Sequence, residues 1–156
     1  MCSDTDGSGP IRVYVVDDHP LLRKGIAQCI NSERDLQVCG DAANAADALV
    51  GVRQMRPDVV LVDISLPDRN GIELIKELRA QGTSARLLVF SMHDESLYVL
   101  RALRAGANGY VLKSESEQRL LEAIRGVHAG KVVVSPSMDD VMVQQAIGEA
   151  KGRIDR

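Results

Sequence analysis

The stretch Val59-Val60-Leu61-Val62-Asp63-Ile64-Ser65-Leu66-Pro67-Asp68-Arg69-Asn70-Gly71 decides how this chain is read. Its first four residues are apolar and three of them are β-branched, the pattern of a short strand buried on both faces. The run stops at a carboxylate, Asp63. Pro67, Asp68, Asn70 and Gly71 then supply turn chemistry: proline presets φ, and glycine relieves the backbone before the next helix. Open parallel sheets keep their ligand sites at the carboxyl ends of their strands, and this pattern puts Asp63 there. Taken alone, Asp63 reads equally well as a turn acid that satisfies nearby backbone donors.

The segments on either side repeat the alternation. Ile11–Val16, Leu36–Gly40, Arg86–Phe90 and Gly109–Leu112 read as further strands. Apolar residues at helical spacing mark helices over Leu21–Ser32, Ala42–Arg56, Ile72–Ala80, Glu95–Ala105 and Glu115–Ala129. Pro20 suits the first turn of the first helix, with Asp18 as its cap; Pro57, Gly82, Gly106 and Gly130 stop the later ones. Alternating β-α units need crossover helices on both faces of a parallel sheet. The expected fold is therefore α/β, a flavodoxin-like (βα)5 doubly wound sheet of strand order 2-1-3-4-5.

Composition bounds the rest. The chain has 156 residues, 45% hydrophobic and 26% charged, with one Phe, three Tyr and no Trp, so the core must be aliphatic. A net charge of −3 provides no global basic field for nucleic acid or an anionic membrane. No apolar run approaches the length of a membrane span, and the first residues lack a signal peptide's apolar segment. Cys2, Cys29 and Cys39 form no C-x-x-C pair and read as reduced thiols, the latter two buried, which implies a cytoplasmic setting. His19, His93 and His128 lack ligand spacing, which argues against zinc. Residues 1–10 are expected to be a disordered polar tail, 11–130 the folded domain, and 131–156 a linker. That linker ends in a helix from Met138 to about Lys151, capped by Ser137 with Asp140.

The expected topology gathers the strand ends on one edge: Asp17 and Asp18, then Asp63, Ser91 and Lys113. Singly, Asp18 reads as a helix cap, Ser91 as a loop residue and Lys113 as a solvated lysine. Together they are three acids, a hydroxyl and an amine in one place. Crowded carboxylates raise one another's pKa, and a hard divalent cation such as Mg²⁺ relieves them. Asp63 is then available as a nucleophile toward phosphorus, with Lys113, Ser91 and the metal stabilising the transferring group.

Asp17-Asp18 after strand 1, Asp63 in D-x-x-x-P-D-x-x-G, Ser91 after strand 4 and Lys113 after Gly109-Tyr110-Val111-Leu112 resemble a response-regulator receiver domain, over about Ile11 to Ala129. The resemblance implies Asp63 as phosphoacceptor. It also implies Mg²⁺ held by Asp18, Asp63 and the backbone carbonyl of Ser65, with Asp17 acting through water. Ser91 and Lys113 are then the phosphoryl-binding groups, and Ser91 with Tyr110 the switch pair. Asp-Asp-His-Pro, Leu22-Arg23-Lys24-Gly25, Ala105 through Lys113 and Ala-Gly-Lys-x-x-x-Ser-Pro are similar to the NarL/FixJ (LuxR-type) branch. That branch implies a sensor histidine kinase as partner, a homodimer on phosphorylation, and DNA contact only through a helix-turn-helix domain, of which these residues show no sign.

The alternative is a receiver-like docking module that works without phosphate, but its usual mark, a lost acid or lysine, is missing here. A flavin carrier would need a Gly/Ser/Thr-rich first loop in place of Asp17-Asp18-His19-Pro20. An aspartyl phosphatase would want an acid at position 65.

Overall fold

The computed structural model describes residues 9–135 and 141–154. Six parallel strands form one sheet: β1 (Ile11–Val16), β2 (Leu36–Ala42), β3 (Val59–Val62), β4 (Arg86–Ser91), β5 (Gly109–Leu112) and β6 (Val133–Val134). Their order is β2-β1-β3-β4-β5-β6, which is the expected arrangement with one strand added. The helices are α1 (Pro20–Asn31), α2 (Ala45–Met55), α3 (Gly71–Ala80), α4 (Ser96–Ala105), α5 (Glu117–His128) and α6 (Val141–Ile154).

Period-two alternation along the strands builds two cores. Tyr14, Val16, Val60, Val62, Leu87 and Val89 face α2, α3 and α4. Val13, Val15, Val59, Leu61, Leu88 and Phe90 face α1 and α5. All four residues of β3 are buried, as its uninterrupted apolar run requires. Each such aliphatic side chain stabilises the fold by about 1.5–3 kcal/mol, so the near absence of aromatics costs the core little.

Several local expectations shift. The second strand runs on to Ala42, which pairs with Val16 across a bulge at Val13/Tyr14. The second helix therefore starts later, where the Asn44 side chain accepts from the Asp47 N–H. At the start of α1 the cap position is His19, not Asp18, and no side chain caps it. Cys29 and Cys39 are only half-buried. Val133 and Val134, inside the expected linker, pair with β5 as β6. Next to it, buried Ser135 donates its hydroxyl to Glu115, and its N–H donates to the Tyr110 carbonyl at 3.1 Å. Residues 1–8 and the Ser137–Asp140 cap lie outside the described residues.

Candidate phosphoacceptor site

The sheet's own hydrogen bonding continues one residue beyond the strands and fixes the backbone of the site. The Asp17 N–H donates to Ala42 O at 3.1 Å, Asp63 N–H to Val16 O at 3.1 Å, and Lys113 N–H to Ser91 O at 2.8 Å. Site side chains thus stand on rigid strand ends rather than on free loops. Gly71 matters for space rather than for φ: a Cβ there would collide with the Asp63 carbonyl. The Gly of D-x-x-x-P-D-x-x-G thus lets α3 begin directly against the acid's backbone.

Three of the expected residues meet directly. Lys113 Nζ donates to Asp17 Oδ2 at 2.8 Å and to Asp63 Oδ2 at 3.1 Å. Both acids are buried, at 2% and 4% exposure. Asp18 joins them: single ligand atoms of Asp17, Asp18, His19 and Asp63 all lie within 4.8 Å of one another. Asp18 Oδ1 is itself buried without a hydrogen-bond partner. It lies 3.1 Å from His19 Nδ1, but out of hydrogen-bonding alignment.

His19 is the residue sequence reasoning missed. Its ring folds back so that Nδ1 sits 3.2 Å from Asp17 Oδ1. Its only signal in the sequence was adjacency to the acid pair.

Burial raises the Asp63 pKa. The charge and hydrogen bond of Lys113 oppose the rise, and repulsion from Asp17 adds to it. For Lys113, burial works against the charged form. The hydrogen bond to Asp17 and the charges of Asp63 and Asp17 outweigh it, so its pKa is raised. One ammonium thus faces three carboxylates. Three carboxylates with excess negative charge and an orphaned buried carboxylate oxygen together fit a hard divalent cation, with the His19 nitrogen at the edge of the cluster.

Ser91, Ser65 and Tyr110 are tied to a common neighbour, His93. The Ser91 Oγ accepts from the His93 N–H at 3.0 Å, Ser65 Oγ lies 3.1 Å from His93 Nε2, and Tyr110 Oη donates to His93 O at 2.7 Å. Ser91 is fully buried, with its hydroxyl on the β4–α4 loop. Tyr110 is fully buried here. The Ser65 N–H also donates to Asp63 Oδ1 at 3.2 Å.

Asp68 has a role the turn reading did not show. Its two carboxylate oxygens accept from Ala45 N–H at 2.9 Å and Ala46 N–H at 3.0 Å, so the loop after β3 caps α2. These bonds, Ala45 first, hold the Asp68 pKa below its usual value.

The model of the response regulator receiver domain matches residues 13–125. The nitrate/nitrite response regulator NarL of Escherichia coli K12 is 35% identical over 133 residues, 85% of this chain and 62% of that protein. The DNA-binding transcriptional activator DevR/DosR of Mycobacterium tuberculosis is 33% identical, over 90% of this chain and 65% of its own length. This chain therefore spans about three fifths of the length of such relatives. Among solved structures, a LuxR-family response regulator from Aurantimonas sp. SI85-9A1 is 36% identical, with a TM-score of 0.80 over 92% of this chain and 99% of its own. The receiver domain of a NarL from Mycobacterium tuberculosis is 33% identical, with a TM-score of 0.75 over 78% of this chain and 98% of its own. Fold, acid cluster and relatives agree: the chain belongs to the response regulator receiver family and stands close to its NarL/LuxR members.

Proposed function

We propose that this domain is a phosphorylation-controlled switch in which Asp63 accepts a phosphoryl group from a sensor histidine kinase. The observation that carries it is the buried Asp63 carboxylate at the end of β3, sharing the Lys113 amine with Asp17 beside an orphaned Asp18 oxygen. Asp17, Asp18 and Asp63, with the Ser65 carbonyl, would hold Mg²⁺. When bound, that ion supplies positive charge to the phosphoryl oxygens.

An Asp63 oxygen forms the new bond to phosphorus as the donor's P–N bond breaks, and the departing imidazole takes up a proton. Lys113 and Ser91 stabilise the charge on the transferred group. To reach that group the Ser91 hydroxyl turns away from the His93 N–H. That frees the β4–α4 loop, and Tyr110 and His93 adjust with it. The change alters the face made by α4, β5 and α5 and biases a partner or homodimer equilibrium. A transcriptional output would be exerted by a DNA-binding part like that of the longer relatives.

Incubation with Mg²⁺ and acetyl phosphate should give a single acid-labile adduct by intact mass, absent from Asp63→Asn. No adduct on the wild type, or an undiminished one on the variant, would overturn the assignment and favour a phosphate-independent docking module.

A further inference from the structure

Helix α6 lies outside the βα units and is not used by the site. It packs on α4, the most extensive contact between any two described helices. Val143, Ala146 and Ala150, spaced three and four apart, are fully buried on one stripe. Val143 and Ala146 belong to the same core as Val99, Leu100, Ala102 and Leu103 of α4, with Ile147 packed at its edge. Arg104 Nε reaches Glu149 Oε2 at 3.7 Å across the seam.

The seam is shallow. One valine and two alanines bury little area, and the face turned away from α4 carries exposed Gln144, Gln145 and Gly148. Gly148 and Gly152 weaken the helix, and neither is required by space, since an added Cβ would meet nothing within 4 Å at either. Helix α6 therefore depends on α4 for its stability.

At its amino end α4 is loosely held. Its cap residue, Glu95, makes no side-chain capping bond. The preceding loop is tied through His93, which binds Ser91 Oγ and Tyr110 Oη and stacks near Tyr98 at 4.7 Å between ring centroids. Removing the Ser91 bond loosens the element on which α6 rests.

We propose that α6 is a latch on α4, closed while Asp63 is unmodified and released when Ser91 leaves the β4–α4 loop for the phosphoryl group. The proposal rests on the phosphoacceptor reading above. Release uncovers the apolar α4 seam and frees the segment at residues 141–154, so the docking of this helix reports the state of Asp63. By reciprocity, weakening the latch strengthens phosphoryl binding.

Hydrogen exchange over residues 141–154, with and without Mg²⁺ and acetyl phosphate, tests this while intact mass counts the adduct in the same samples. Exchange there should become on the order of tenfold faster in the modified protein. Ala146→Glu should accelerate it without phosphodonor and tighten beryllofluoride binding. The Gly148→Ala/Gly152→Ala pair should slow it in both states and reduce the response. A chain that takes up the phosphoryl group but keeps α6 equally protected overturns the latch alone; a chain that takes up none overturns both readings. Protection unchanged in Ala146→Glu, or an undiminished response in the alanine pair, also overturns the latch.

Discussion

The two edges of the sheet bury polar groups for opposite ends. At the amino edge, Arg79 donates to the carbonyls of Gly106 and Ala85 and to Asn108 Oδ1, which in turn accepts from Leu87 N–H. Arg12 likewise ties its guanidinium to the carbonyls of Met55 and Arg56, and its N–H donates to Asp58. Each of these groups has found its complement. At the carboxyl edge, Asp17 and Asp63 share one lysine, Asp18 Oδ1 beside them has no hydrogen-bond partner, and the Asp63 pKa is raised chiefly by burial. A satisfied network holds the fold, whereas an unsatisfied one invites a ligand.

The largest effect expected at the acid edge is that of Asp63→Asn. It should abolish the acetyl-phosphate adduct while raising metal-free stability by on the order of 1 kcal/mol. The sign follows from linkage. The fold holds the Asp63 proton more tightly than the unfolded chain does, so stability is lost as pH climbs above the ordinary value of 3.8, and Asn escapes that loss. Mg²⁺ should raise the melting temperature of the wild type far more than that of this variant. A fall in metal-free melting temperature would contradict the contrast between the edges.

Arg79→Ala should do the reverse. Stranding the carbonyls of Gly106 and Ala85 should cost about 2–3 kcal/mol by denaturant unfolding, with adduct yield per folded molecule unchanged. Asp68→Ala, which removes the loop's two bonds to the first N–H groups of α2 and leaves the Asn44 cap, should cost about 1 kcal/mol. That loss should shrink as pH falls through the depressed Asp68 pKa, below 3.8.

The smallest effect belongs to the exposed rim of the amino edge. Arg125 grips Asp35 at 2.8 Å and 2.9 Å, and that hydrogen bond is the main reason the Asp35 pKa is lowered. Asp35 is half-exposed, so Asp35→Asn should cost only about 0.5 kcal/mol at neutral pH. A depressed carboxylate contributes above its unfolded value of 3.8 and loses that contribution as pH falls through the folded one. Wild type and variant should therefore converge in acid.

What the sequence by itself determined was everything governed by periodicity and order. Apolar runs of four to six residues set the strands, helical spacing set the crossovers, and right-handed crossovers then forced Asp17, Asp63, Ser91 and Lys113 onto one edge. Only the tertiary structure decided what depends on side-chain reach between segments distant in sequence. Asp68 caps α2 across the site, and Lys113 bridges Asp17 to Asp63. His93 gathers Ser65, Ser91 and Tyr110, Val133–Val134 joins the sheet, and α6 lies on α4. His19 was hidden for a related reason: whether its imidazole turns toward the acid pair or toward solvent is a rotamer choice that no local pattern encodes. Backbone order follows from local pattern because secondary structure has few solutions; the pairing of polar atoms does not, because it is fixed only when the packed elements bring them within about 3 Å.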